Sequence, residues 1–317
     1  MRIAVLGSGA IGGYYGARLA NAGHDVSFIA RGPHLDTLQR RGLTVRVPEG
    51  ESTIPVTAVA DTRTLVPVDL VLFCVKAFDT ESAARALAPL MAPETVVLTL
   101  QNGIDNVTAI GAVVGPEAVL AGAVYVAVQL TGPGVIRRTG GAGNIIFGDI
   151  SGTVTEPVWR VARAFQESAI AHQIAPDIQR VLWEKFLFIT GIGGVTALAR
   201  SGIGPLLASP EGRPLLRTSC EEIAALARAE QVPLPADAVD RVLAQAATLP
   251  PEWRSSMARD LEDGRRLEVD ALSGAVVRHG TNLGISTPVH RVIAACLALH
   301  QPAPSAEQHN PRTPAIA

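Results

Sequence analysis

The chain has 317 residues, 48% of them apolar and 18% charged, which excludes wholesale disorder and gives enough length for two domains with separate cores. With 27 Lys and Arg against 29 Asp and Glu, and no dense basic stretch, no strong field favours a polyanion, so nucleic acid is set aside as a partner. Cys74, Cys220 and Cys296 sit in separate apolar runs without paired metal-ligand spacing; they read as buried thiols in a reducing compartment, and no metal is expected. The opening Met1-Arg2-Ile3-Ala4-Val5-Leu6 runs straight into a glycine motif without room for a signal peptide, and no apolar run of membrane-spanning length is read, so a cytoplasmic protein away from membranes is expected.

In chain order, Ile3 to Leu6, Asp25 to Ile29, Asp69 to Val75 and Thr95 to Leu100 are short β-branched runs alternating with helical stretches. Such alternation predicts a largely parallel sheet covered by helices. From Val119 to Asp149 the pattern becomes strands separated by glycine-rich turns, Thr131-Gly132-Pro133-Gly134 and Gly140-Gly141-Ala142-Gly143, which predicts antiparallel pairing at the end of the sheet. After Pro176 the character changes: Asp177 can cap a long apolar segment through Leu182, Phe186 and Ile189. Further helices are predicted at about Ser209 to Glu230, Ala236 to Ala247, Ser256 to Gly280 and Pro288 to Leu299, with no strand among them. Residues 301–317, with four prolines, read as a flexible tail.

Gly7-Ser8-Gly9-Ala10-Ile11-Gly12 matches G-x-G-x-x-G between a predicted strand and a predicted helix. In that frame Gly7 permits the tight turn, Gly9 lets the backbone approach a pyrophosphate, and Gly12 allows close helix-to-strand packing. The fold class is therefore α/β: a Rossmann-type dinucleotide-binding domain over 1–176 and an all-helical catalytic and substrate domain over 177–300. The second predicted strand ends Phe28-Ile29-Ala30-Arg31. NAD-selective sites usually carry an acid there, whereas a guanidinium suits a 2′-phosphate, so NADPH is the expected cofactor unless Arg31 is only a solvated loop residue.

Two ionisable residues interrupt apolar patterns in the second half. Lys185 stands among Leu182, Phe186, Phe188 and Ile189, and an ammonium losing hydration there tends toward lower proton affinity. Glu268 falls in the stripe Leu261, Gly264, Ala271, Leu272, Ala275 at helical spacing, where a carboxylate needs a partner. Periodicity alone leaves open a salt bridge between helices or side chains that snorkel to solvent.

Taken together, the N-terminal glycine motif, Val75-Lys76 closing a strand, Gln101-Asn102-Gly103, Trp183-Glu184-Lys185 and Ser255-Ser256-Met257 ahead of Glu268 resemble the 2-dehydropantoate 2-reductase (ketopantoate reductase) family over about residues 1 to 290. The resemblance implies reduction of a small 2-oxo acid by NADPH, with Lys185 as proton donor and Glu268 hydrogen-bonding substrate or cofactor. It also implies that Lys76 and Asn102 line the nicotinamide end of the cleft and that Ser256, with Asn102, meets the substrate. Asn102 before Gly103 reads equally as a turn former. Assembly as a homodimer is left open.

Three positions depart from the family pattern. Ile189 and Gly193 stand where asparagines follow the lysine at four and eight residues, and Trp253 stands where another asparagine precedes the serines. Missing amides cost selectivity for a polar substrate, so the alternatives are a related dehydrogenase for a bulkier apolar 2-oxo acid, or a non-catalytic NADP-binding sensor. Gly191, Gly193 and Gly194 crowd one helix, which requires either a kink or ligand approach, or a close helix crossing.

Overall fold

The computed structural model describes residues 1–301. In chain order these form β1 (Arg2–Leu6), α1 (Ala10–Asn21), β2 (Asp25–Ile29), α2 (Gly32–Arg41), β3 (Leu43–Val47), β4 (Gly50–Ile54), β5 (Thr57–Val59), β6 (Leu70–Phe73), α3 (Thr80–Arg85), β7 (Val96–Thr99), α4 (Asn106–Val114), β8 (Val119–Gly132), β9 (Val135–Gly148), α5 (Glu156–Glu167) and β10 (His172–Ile174). Helices follow: α6 (Ile178–Ala199), α7 (Ile203–Ala208), α8 (Gly212–Ala229), α9 (Ala238–Ala247), α10 (Ser256–Glu262), a π-helical turn Asp270–Gly274, α11 (Ala275–Leu283) and α12 (Pro288–Ala298). Two compact units result, Met1–Phe186 with Gln231–Leu234, and Leu187–Glu230 with the described residues from Pro235 onward; α6 contributes to both.

The first unit is built on one sheet of order β4-β3-β9-β8-β7-β6-β1-β2-β5, with β10 beside β9. From β8 through β5 all neighbours are parallel, as predicted. Its strands are apolar on both faces because both faces are covered. Ile3, Val5, Leu70, Leu72, Val96 and Leu98 pack with Tyr15, Leu19 and Phe165 on one side, and Ala4, Leu6, Val71, Phe73 and Val97 with Ala84, Leu87 and Ile110 on the other. Antiparallel pairing appears where expected, in the β8–β9 hairpin around Pro133-Gly134. The second glycine-rich stretch is not a turn: Gly140 to Gly143 lies inside β9, where Tyr125 pairs Asn144 and Ala127 pairs Gly140, a bulge that accommodates extra residues. The β3–β4 hairpin had no counterpart in the sequence reading, since Gly50–Ile54 is polar and mostly exposed.

In the second unit α8 is central, packing on α7, α9, α11 and α12 through Leu216, Cys220, Ile223 and Ala227 at helical spacing. Among the described residues it contains no strand, as read from the sequence. The predicted Ser256 to Gly280 helix is broken: α10 ends at Glu262, Gly264 is left-handed at φ +63°, and helical bonding resumes only at the π turn. A residue at that φ cannot continue an α-helix, so the apolar stripe used to place Glu268 does not lie on one helical face. Gln301, assigned to the tail, bonds Leu267 N–H and C=O through its side-chain amide, each at 3.0 Å; the rest of the predicted tail lies outside the described residues.

Two expectations from composition need correction. Cys220 is buried, but Cys74 is partly exposed and Cys296 exposed on α12. The 22 residues of α6 are long and apolar enough for a membrane span, with 61% of the window buried inside the protein. A core helix has the same composition when its neighbours replace lipid. Asp177 does cap this segment, its Oδ1 accepting from Arg180 N–H at 3.0 Å.

Candidate active site

The carboxyl ends of β1, β6 and β7 lie side by side, and the chain leaves β1 toward β2 on one side while β6 lies on the other. Such a point, where strand order reverses, leaves a crevice that helices do not cover. Gly7 follows β1 at φ +97°, and a Cβ there would lie 2.5 Å from Val75 N and 2.6 Å from Cys74 C. A Cβ on Gly12 would enter Val5 Cγ1 at 2.8 Å, whereas nothing lies within 4 Å of one on Gly9. Thus Gly7 and Gly12 are fixed by packing, and the open space is in front of Gly9. Gly9 is also the N-cap of α1 and has no side chain to cap it. The first-turn N–H groups at Ala10, Ile11 and Gly12 are thereby left to a ligand, which fits a pyrophosphate.

Ser8 is turned inward, its hydroxyl donating to Ile29 O at 2.9 Å, so it can meet a ligand only through its backbone. His34 pins the same turn. Gly134 N–H donates to its Nδ1 at 2.9 Å, which leaves the proton on Nε2, 2.7 Å from Ser8 O. Arg31 is exposed at the end of β2 and opens α2 as its N-cap. Lys76 is exposed beyond β6. Asn102 is half-buried beyond β7, ahead of Gly103 at φ +113°. The structure therefore brings the glycine turn, Lys76 and Asn102 to one end of adjacent strands.

Beneath these loops is a polar cluster that the sequence reading missed. Gln101 Nε2 donates to Val75 O at 3.0 Å and to Thr80 Oγ1 at 2.8 Å, while Thr99 Oγ1 donates to Gln101 Oε1 at 3.0 Å. Asn106 Nδ2 donates to Asn102 O at 2.9 Å. Polar residues next to an Asn-Gly turn carry no periodic signal, and only tertiary structure shows them to be buried.

Lys185 is half-buried on α6, beside the buried edge-to-face pair Trp183 and Phe186 and the Arg180–Glu184 ion pair at 3.3 Å. In the helical unit, Ser256 is exposed as the first residue of α10, while its neighbour Ser255 is buried and caps the helix, accepting from Ala258 N–H at 3.1 Å. Glu268 is half-buried in the stretch before the π turn, its carbonyl accepting from Leu272 N–H at 3.2 Å. Phe188 and Trp253 pack edge-to-face at 6.0 Å.

The α6 glycines prove to be helix-crossing residues. A Cβ on Gly191 would lie 2.6 Å from Cys220 Sγ, on Gly193 3.2 Å from Ser255 Cβ, and on Gly194 3.1 Å from Ile293 Cδ1. The helix runs through them without interruption. Protein atoms occupy the space a side chain would need, which answers to the close-crossing alternative and not to a kink or ligand approach.

A glycine turn that fits a pyrophosphate, at the switch point of a doubly covered parallel sheet in a chain whose other unit is all-helical, is the arrangement of a dinucleotide-dependent enzyme. Residues 3–152 match the family described as ketopantoate reductase PanE/ApbA, and residues 177–301 match its C-terminal part. The chain is 36% identical over 303 residues to the 2-dehydropantoate 2-reductase of Halobacterium salinarum, covering 95% of this chain and 99% of the relative. It is 34% identical over 320 residues to that of Mesorhizobium japonicum, covering 94% and 96%. A PanE/ApbA family ketopantoate reductase structure from Ralstonia eutropha is similar with a TM-score of 0.88 at 35% identity, over 98% of this chain and all of that one (100%). The chain belongs to the ketopantoate reductase family, and is an oxidoreductase that reduces a small 2-oxo acid with a nicotinamide cofactor.

Proposed function

We propose that the chain is a cytoplasmic NADPH-dependent reductase that converts a 2-oxo acid to the 2-hydroxy acid, residues 1–176 holding the cofactor and 177–300 the substrate. The observation that carries this is the uncapped α1 N-terminus behind the open face of Gly9, with the Lys76 and Asn102 loops beside it. The backbone of Gly7 to Gly12 receives the pyrophosphate, and Arg31 the 2′-phosphate. Lys76 and Asn102 border the nicotinamide end. When bound, the dihydronicotinamide supplies hydride to the carbonyl carbon.

Lys185 offsets the negative charge developing on the carbonyl oxygen and gives it a proton from Nζ, leaving a neutral amine that solvent reprotonates. Ser256 hydrogen-bonds the substrate carboxylate, and Glu268 hydrogen-bonds the substrate or cofactor.

Ketopantoate is the substrate from which the family takes its name; the residues here favour a more apolar one. Ile189 offers no amide, the Gly193 position is packed against Ser255, and Trp253 packs edge-to-face with Phe188. Each missing contact to a neutral hydroxyl costs about 0.5–1.5 kcal/mol, so two or three of them lower efficiency with ketopantoate by roughly tenfold to a thousandfold. Steady-state kinetics with NADPH across ketopantoate, branched and aromatic 2-oxo acids tests this. A branched or aromatic acid is expected to give the highest kcat/KM, and ketopantoate as the best substrate of the panel would refute the preference.

A further inference from the structure

Gln101 is 7% exposed and uses both ends of its side-chain amide. A backbone carbonyl only accepts, so the amide nitrogen faces Val75 O, and its second proton goes to Thr80 Oγ1. Oε1 then receives the Thr99 hydroxyl. Thr80 Oγ1 in turn points its proton at Asn106 Oδ1 over a long 3.5 Å, and Asn106 Nδ2 closes on Asn102 O at 2.9 Å. A chain of side chains thus runs from the carbonyl just before Lys76 to the carbonyl of Asn102. It continues the link made by the backbone bond from Leu100 N–H to Phe73 O at 3.0 Å. Val75 N is also the atom against which the Gly7 turn packs. The segment to which Gln101 bonds therefore touches all three loops at this end of the sheet.

We infer that Gln101 is a positioning residue for the reaction: its amide sets the spacing of the Lys76 and Asn102 loops, and through them holds the nicotinamide end of the cofactor in register with the substrate. The inference rests on the placement of those two loops beside the nicotinamide proposed above. It predicts an effect on turnover that is larger than the effect on cofactor affinity, because the phosphates are held elsewhere, by the glycine turn and Arg31.

The test uses the full chain. Gln101→Leu keeps the bulk and removes three hydrogen bonds. It should lower kcat by roughly 10- to 100-fold, the scale of a small misplacement of reacting groups, and change the NADPH Kd from nicotinamide fluorescence by less than about threefold. Gln101→Glu adds a pH readout. A carboxylate cannot donate to Val75 O but a protonated carboxyl can, so its deficit relative to the parent should shrink as pH is lowered. If Gln101→Leu does not fold, Thr80 carries the test: Thr80→Ser keeps the bridging hydroxyl and turnover, and Thr80→Val loses turnover.

Parental kcat in Gln101→Leu, a pH-independent deficit in Gln101→Glu, or equal turnover in Thr80→Val and Thr80→Ser overturns the inference. Lys76→Met and Asn102→Ala are measured alongside. If both keep parental turnover, the placement of the loops has failed and the inference falls with it. If both lose turnover while Gln101→Leu does not, the positioning role alone has failed.

Discussion

Arg31 stands exposed at the end of β2, where the ribose of a dinucleotide is read in folds of this kind, and among the described residues its guanidinium has no ion-pair partner. A free guanidinium at that point is worth more to a cofactor carrying a 2′-phosphate than to one carrying a hydroxyl. Arg31→Ala should therefore raise the Kd of NADPH by roughly tenfold or more, one charge-assisted contact, and leave that of NADH nearly unchanged. Equal losses for both cofactors in a titration would remove the 2′-phosphate assignment. Lys185 should behave in the opposite way. Lys185→Ala is expected to lower kcat by roughly 100-fold or more while NADPH affinity stays near the parent value. Normal turnover would make Lys185 a structural residue of α6. Both residues stand out in the sequence because each breaks a local pattern, a cation where an acid is usual and a charge inside an apolar helix. His34 and Gln101 break no pattern; their importance comes from a carbonyl and a turn brought to them by distant strands.

At the level of elements, the α6 glycines show how packing overrides propensity. Alanine is better than glycine in a helix by up to about 1 kcal/mol, yet at Gly191 a methyl group meets Cys220 Sγ at 2.6 Å in a fully buried contact. Overpacking costs about 1–3 kcal/mol and wins, so Gly191→Ala should lower the urea midpoint. Adding Cys220→Ala removes the obstructing sulfur, and the double variant should be more stable than Gly191→Ala alone. Additive losses would show that the two helices do not meet through these atoms. The sequence could reveal the crowding but not its cause, because the opposing residues are about 30 to 100 positions away. The same limit explains the broken helix before Glu268: apolar spacing continued through Gly264, and only its positive φ reveals the stop.

For the whole molecule, the parallel sheet and the all-helical second half were legible because doubly buried strands are apolar throughout and the helices keep their period. What escaped were elements stabilised mainly by partners, such as the polar β3–β4 hairpin and the buried centre of the helical unit. There His290 is fully buried, with Nε2 2.9 Å from Ser219 O and Nδ1 3.2 Å from Ser273 Oγ, and its own N–H donates to Glu222 at 3.1 Å. Burial, partly offset by the bond to Ser219, lowers the imidazole from 6.5 to about 4. Between those values the unfolded chain binds the proton that the folded state refuses, so stability is full above about pH 6.5 and falls as pH drops toward 4. The loss is on the order of 3 kcal/mol. Glu222, which burial raises, contributes with the opposite sign. Urea unfolding at pH 7 and pH 4.5 should therefore be compared with His290→Gln, in which the difference shrinks. An unchanged pH dependence would place the effect elsewhere.

The contact between Gly193 and Ser255 constrains what an asparagine at position 193 would require of its surroundings. A Cβ at residue 193 meets Ser255 Cβ at 3.2 Å, and Ser255 is itself committed, donating to Gly193 O and capping α10 at 3.1 Å each. Gly193→Asn alone would push against a cap whose loss costs about 0.5–2 kcal/mol, and replacing Ser255 first would give up that cap before any amide is gained. Neither single step leads downhill. Introducing an amide at residue 193 therefore calls for paired substitutions at 193 and 255, and the proposed substrate preference is tested more simply at Trp253 or Ile189.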